Sequence, residues 1–136
     1  MEENTKTQTK KVISVSNGVD LQTHIIDAKG KKLGRVASRA AHLLMEKDMP
    51  SFEKHRKLGS KVRIENAGGL VITEKRASEK NRYKRASGYS GNLVIESIGE
   101  LRARHGIGEV VKRAVKGMIP NNKLRNEMLK RLEVVE

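Results

Sequence analysis

Between residues 74 and 91 the chain carries Lys75, Arg76, Lys80, Arg82, Lys84 and Arg85 against Glu74 and Glu79, with Tyr83, Tyr89 and two Ser-Gly pairs interleaved. Cations in that density neutralise phosphates, tyrosine rings stack on bases or riboses, and Gly88 and Gly91 let backbone approach closely. The competing reading is a disordered, soluble loop with its tyrosines packed at the core edge. Such a loop needs no excess of cations over acids.

A second basic group lies on residues 31–39. Lys32, Arg35, Arg39 and His42 recur at helical spacing, with Lys31 beside them and no acid placed to pair them before Glu46. Arg35 and Arg39 are like charges one turn apart, which an isolated helix disfavours. A polyanion along this face reverses that sign, whereas a solvated basic surface leaves it. Lys54, Arg56 and Lys57, followed by Gly59, form a third basic stretch.

Other chemistries find little footing. His24, His42, His55 and His105 are scattered, without the spacing of a metal site, and no G-x-S-x-G nucleophile motif occurs. G-x-G-x-x-G is missing from the turn at residues 27–34, as is G-x-x-x-x-G-K-[ST]. Gly106-Ile107-Gly108 begins the first pattern but has Val111 where the third glycine belongs. Asp27 reads as a turn residue bonding its own backbone, with a ribose contact as the alternative. No catalytic residue, metal or cofactor is expected.

The basic face at residues 31–39 requires a strand, turn and helix. Ile25-Ile26 is the strand, residues 27–32 the turn, and Leu33, Val36, Ala37, Ala40, Ala41 and Leu44 the core face of the helix. The helix start, Lys31 and Lys32 together leave room for an anion. Upstream, residues 12–16 and 19–23 flank Asn17-Gly18, the dipeptide of two-residue hairpins, although an extended arm on a partner has the same pattern. Downstream, residues 62–65 alternate and Leu70-Val71-Ile72 is an apolar run. The short link at residues 66–69 makes these antiparallel strands or one bent strand. Residues 74–91 lack apolar anchors.

The last third is helical. Ser97-Ile98-Gly99-Glu100 is a capping box that starts a helix ending near His105-Gly106. Ile107, Val110, Val111, Ala114, Val115 and Met118 form a second stripe, with Lys112, Arg113 and Lys116 on its other face. Asn121 or Asn122 caps a third helix carrying Leu124, Met128 and Leu132, and Val134-Val135 follows as a short strand. Met45, Met118 and Met128 read as core filler.

The chain has 136 residues, with 29 basic and 16 acidic side chains and a formal charge of +13. Residues 1–11 read as a disordered arm and 12–136 as one RNA-binding domain. Such charge points to phosphate-rich partners. No apolar run approaches a membrane span, and with one Phe and no Trp the chain lacks the anchors of a membrane-surface helix. Absent cysteine excludes disulfides and is compatible with a reducing compartment.

Several stretches together resemble one family. They are Ile26-Asp27-Ala28, residues 33–38, Glu65-Asn66-Ala67, residues 87–91, and the run from Ala114 to Pro120 containing Lys116-Gly117-Met118. Their order and spacing over residues 24–135 are similar to the universal large-subunit ribosomal protein thirteen family, in its bacterial form. His24, Ser60, Glu74 and Ser90 depart from the family's usual aromatic, acid, glycine and proline, and the tail past Leu132 is short.

The resemblance implies a three-layer α/β/α domain around a small, mostly parallel sheet, with no enzymatic activity. It also implies a cytoplasmic place in the ribosome, on large-subunit ribosomal RNA and beside neighbouring large-subunit proteins, early in assembly. No small-molecule substrate or membrane partner is expected. Lys116, in its turn, joins the candidate RNA contacts named above. The alternatives are a free RNA-binding regulator or chaperone and, from another class, a small nucleotide-using enzyme built on residues 25–46.

Overall fold

The computed structural model describes residues 10–16, 19–50, 52–53, 55, 59–79, 83–86 and 88–136, with backbone alone for 10–16, 19–22 and 83–86. A first strand, β1 (Lys10–Ser16), runs antiparallel to β2 (Val19–Asp27), and Ser16 opposite Val19 closes a two-residue connection. Asn17 and Gly18 themselves lie outside the described residues. Lys10 and Lys11 pair with Ile25 and His24, so the strand begins inside the stretch assigned to the arm. β2 also continues unbroken through Ile25-Ile26, joining two segments that the sequence separates.

After the turn comes α1 (Leu33–Leu44), which buries Val36, Ala37, Ala40, Ala41, Leu43 and Leu44. β3 (Lys61–Glu65) follows, parallel to β2, with Ile64 opposite Ile26. The sheet is completed by β6 (Leu132–Val134), also parallel to β3, in the order β1-β2-β3-β6. A mostly parallel α/β sheet is therefore present.

Between β3 and β6 lie α2 (Glu74–Ser78), the hairpin of β4 (Tyr83–Ala86) and β5 (Leu93–Glu96), α3 (Ile98–Met118) and α4 (Arg125–Lys130). Both crossovers, through α1 and through α3, step the same way across the sheet. Right-handed connections then put both helices on one face, and α1 and α3 pack on each other. Val62 and Ile64 are buried beneath them, while Lys61 and Arg63 are exposed on the opposite face. α1 and α3 together make the helical layer on the Val62 and Ile64 face of the sheet.

Residues 66–72 differ from the antiparallel expectation. Asn66 takes a positive φ of 57°, Ala67–Gly69 forms a 3-10 turn, and the chain swings away from the sheet. Both neighbours of β3 are already taken by β2 and β6, so Val71 makes only one isolated bridge, to Lys32. Residues 74–91 likewise contain a helical turn and one strand of a hairpin instead of unbroken loop.

The capping box of α3 is formed: Glu100 N–H donates to Ser97 Oγ at 3.1 Å, and Ser97 N–H to Glu100 Oε2 at 2.9 Å. The helix is broken where the stripe changes, at Gly106, whose φ of 78° and ψ of 174° are not helical. At α4 neither asparagine side chain caps. Leu124 is the N-cap without a side-chain bond, and Arg125 donates to the carbonyls of Ile119 (2.9 Å) and Pro120 (3.2 Å). Leu132 enters β6 rather than extending that helix, and Val135 falls beyond the strand.

Candidate nucleic-acid interface

The turn before α1 is built by Asp27. Its Oδ1 accepts from Lys29 N–H at 3.1 Å and from Asn66 Nδ2 at 2.9 Å, which is the turn role the sequence assigns it. The Asn66 bond first, and the Lys29 amide second, hold its carboxyl below the usual range. Gly30, at a φ of 69°, reverses the chain, and bonds from Gly30 N–H to Gly69 O and from Val71 N–H to Lys31 O stitch the turn to residues 66–71. Lys32 then stands at the N-cap of α1 and has no acceptor with which to cap it. The helix therefore opens on uncapped N–H groups, the positive end of its dipole.

A cavity of about 440 Å³ lies directly in front of that end. Lys32, Leu33 and Gly34 form one side, and Val71, Ile72 and Thr73 the next. Arg76 closes it from α2, and Ile98, Arg113, Ala114, Gly117 and Met118 from α3. Met118 is 42% exposed and Val71 50%, so this methionine is cavity wall and not core filler. Met45 packs against the core and Met128 is buried within it.

Lys32 and Arg76 are the two expected cations that share the cavity. Lys31, Arg35 and Lys75 neighbour them in sequence, and Lys116 precedes its Gly117-Met118 edge. Among the described residues none of these six has a carboxylate at ion-pair distance. Lys31 is half-buried and the other five are exposed.

Arg39 is different. Its Nη2 lies 3.4 Å from Asp48 Oδ2, and His42 Nδ1 lies 3.1 Å from the other oxygen of the same carboxylate. Glu46, the nearer acid in sequence, turns inward instead. It is 7% exposed and accepts from Ser60 N–H at 2.7 Å.

Arg113 was not among the expected contacts, although it shares a helical face with Lys112 and Lys116. Its guanidinium is held by Glu109 Oε1 (3.1 Å) and Glu96 Oε2 (3.2 Å), and Glu96 also receives Arg104 at 2.8 Å. Burial works against its charge, but the bonds to Glu109 and Glu96 outweigh that and hold its pKa above the ordinary value. Such a pairing fixes the side chain as part of the wall.

The hairpin tip is a separate feature. Gly88 and Gly91 adopt φ values of 88° and 80°, and Tyr89 between them is 83% exposed, which removes the core-edge reading for that tyrosine. Tyr83, Lys84 and Arg85 lie in β4, where only the backbone is described. Lys54, Arg56, Lys57, Lys80 and Arg82 lie outside the described residues. Among the described residues no three potential metal ligands come together, and no helix is long and apolar enough to cross a membrane.

A small α/β domain with an uncapped helix end and a cavity lined by Lys32 and Arg76, neither with a carboxylate partner among the described residues, defines a class of small basic α/β proteins. Comparison with known proteins narrows it. The sequence profile of ribosomal protein L13 matches residues 21–136. The chain is 40% identical over 116 residues to the large ribosomal subunit protein uL13 of Paraburkholderia phytofirmans, covering 85% of this chain and 80% of that one. It is 41% identical over 116 residues to uL13 of Thermobifida fusca, covering 85% and 76%, and 42% identical over 115 residues to uL13 of Micrococcus luteus, covering 85% and 77%. The chain belongs to the ribosomal protein L13 family. It is accordingly a structural protein of the ribosome and not an enzyme.

Proposed function

We propose that the chain is a structural constituent of the large subunit that binds large-subunit ribosomal RNA and supports subunit assembly and translation in the cytoplasm. The observation that carries this reading is the gathering of Lys32 and Arg76 at one cavity in front of the uncapped start of α1, without carboxylate partners among the described residues. Phosphate oxygens satisfy both the open N–H groups and the cations. Lys31, Arg35, Lys75 and Lys116 extend the same contact, and Arg39 adds to it when Asp48 releases it. Lys54, Arg56, Lys57, Lys80, Arg82, Lys84 and Arg85 supply further phosphate contacts, with Tyr83 or Tyr89 stacking and Gly88 and Gly91 bringing backbone close. Neighbouring large-subunit proteins are the second class of partner, and the exposed Leu93 and Ile95 of β5 suit them.

Co-sedimentation tests the assignment. The chain is expected to stay with isolated large subunits through a high-salt wash, and its affinity for large-subunit RNA to fall steeply with salt. Complete release by the wash, with full occupancy of free RNA, would identify a free RNA-binding regulator instead.

A further inference from the structure

Phosphate binding alone leaves two features of the cavity beside α1 without a reason. Val71 and Met118 present apolar surface to it at 50% and 42% exposure, beside the buried Ile98. Gly34 and Gly117 also line it, within α1 and α3, and neither has a positive φ. A Cβ built on either meets nothing within 4 Å. Glycine is the poorest helix former short of proline, and here neither backbone conformation nor packing within the chain calls for it. Both glycines instead leave the cavity wide, one from α1 and one from α3.

We propose that this cavity receives one unstacked nucleotide of RNA. The inference rests on the RNA-binding reading above and specifies what part of the RNA enters. The phosphate lies at the start of α1 between Lys32 and Arg76, and the base lies against Val71, Ile72 and Met118. Arg113, held by Glu96 and Glu109, completes the wall on the α3 side. A volume of about 440 Å³ is within the range of sites that enclose small organic ligands. A paired nucleotide keeps its faces stacked inside the duplex and offers this wall nothing apolar. Lys32 and Arg76, without carboxylate partners among the described residues, favour an anionic nucleotide over a side chain of a neighbouring protein.

The test uses the full chain and two RNA hairpins of equal length and charge, one with a single bulged nucleotide and one fully paired. The wild type is expected to bind the bulged hairpin at least ten-fold more tightly. Gly117→Leu is expected to abolish that preference, so that the bulged hairpin binds no more tightly than the paired one. Gly34→Leu fills the cavity from α1 and gives the same readout if the first variant fails a thermal-melting check. Equal wild-type binding to both hairpins, or a folded Gly117→Leu that keeps the preference, overturns the proposal while leaving RNA binding intact. Wild-type failure to bind either hairpin overturns the RNA-binding reading itself.

Discussion

Replacing Arg35 and Arg39 with glutamine, singly and together, separates a phosphate-binding helix face from a solvated one. Both side chains leave the core of α1 untouched, because Val36, Ala40 and Leu44 lie on the opposite face. Removing either charge relieves the i,i+4 repulsion, worth about 0.2–0.5 kcal/mol. Arg35→Gln should therefore stabilise the free protein by that amount. Arg39→Gln also removes the 3.4 Å pair with Asp48. With both side chains 43% exposed, that pair contributes about 0.2–1 kcal/mol. The single Arg39 variant and the double variant are expected to melt within about 0.8 kcal/mol of wild type, since one relief opposes one loss. RNA binding moves differently. Loss of the Arg35 contact should make log affinity against log salt shallower by about 0.7 on single strands or 0.9 on duplex. Arg39 shares its charge with Asp48, so the double variant should lie closer to the Arg35 value than to twice it. Melting curves and binding titrations across a salt series measure both effects. A folded Arg35→Gln with unchanged affinity and unchanged slope would remove this helix face from the interface.

Three further outcomes follow from local geometry. Ser97→Ala breaks the capping box of α3 and should cost about 1 kcal/mol in a denaturant titration, with Ser97→Asp recovering most of it. Gly106→Ala forces a Cβ into a φ of 78° and ψ of 174°. It should cost roughly 1–3 kcal/mol, and a neutral result would mean that the helix break relaxes freely. Asp27 gives a pH dependence. Its folded pKa is lowered, so its contribution is present above the unfolded value near 3.8 and disappears as pH falls through the folded value. Subtracting the pH–stability curve of Asp27→Asn from that of wild type should show a difference that is level above that range and changes only across the acid limb, and a difference that grows above neutral pH would contradict the assignment.

Much of the local architecture is written in short-range pattern. The core face of α1, the Ser97–Glu100 box and the change of stripe at Gly106 each depend on residues within a turn or two of one another. Helical periodicity and capping reward such neighbours directly. The positive φ of Gly88 and Gly91 and the turn role of Asp27 are legible for the same reason. The basic residues of the candidate interface were legible as types, but not as an assembly.

Tertiary structure decided what depends on distant partners. Parallel pairing of β3 with β2 and β6 sets residues 61–65 against 23–27 and 132–134, and no pattern within residues 62–72 encodes that choice. Once those edges are filled, Leu70-Val71-Ile72 is excluded from the sheet, and Val71 becomes cavity wall. Asp48, not Glu46, neutralises Arg39 because the chain turns at the end of α1 and sends the nearer carboxylate inward to Ser60. Arg113 enters the cavity only through the packing of α3 beside α1, while acids at 96 and 109 hold its guanidinium. The sequence by itself determined that α1 and α3 are helical, where both start, and that the chain is cationic. Only the fold determined that Lys32, Arg76, Arg113, Gly34 and Gly117 share one space, because side-chain convergence is set by long-range packing and leaves no periodic trace.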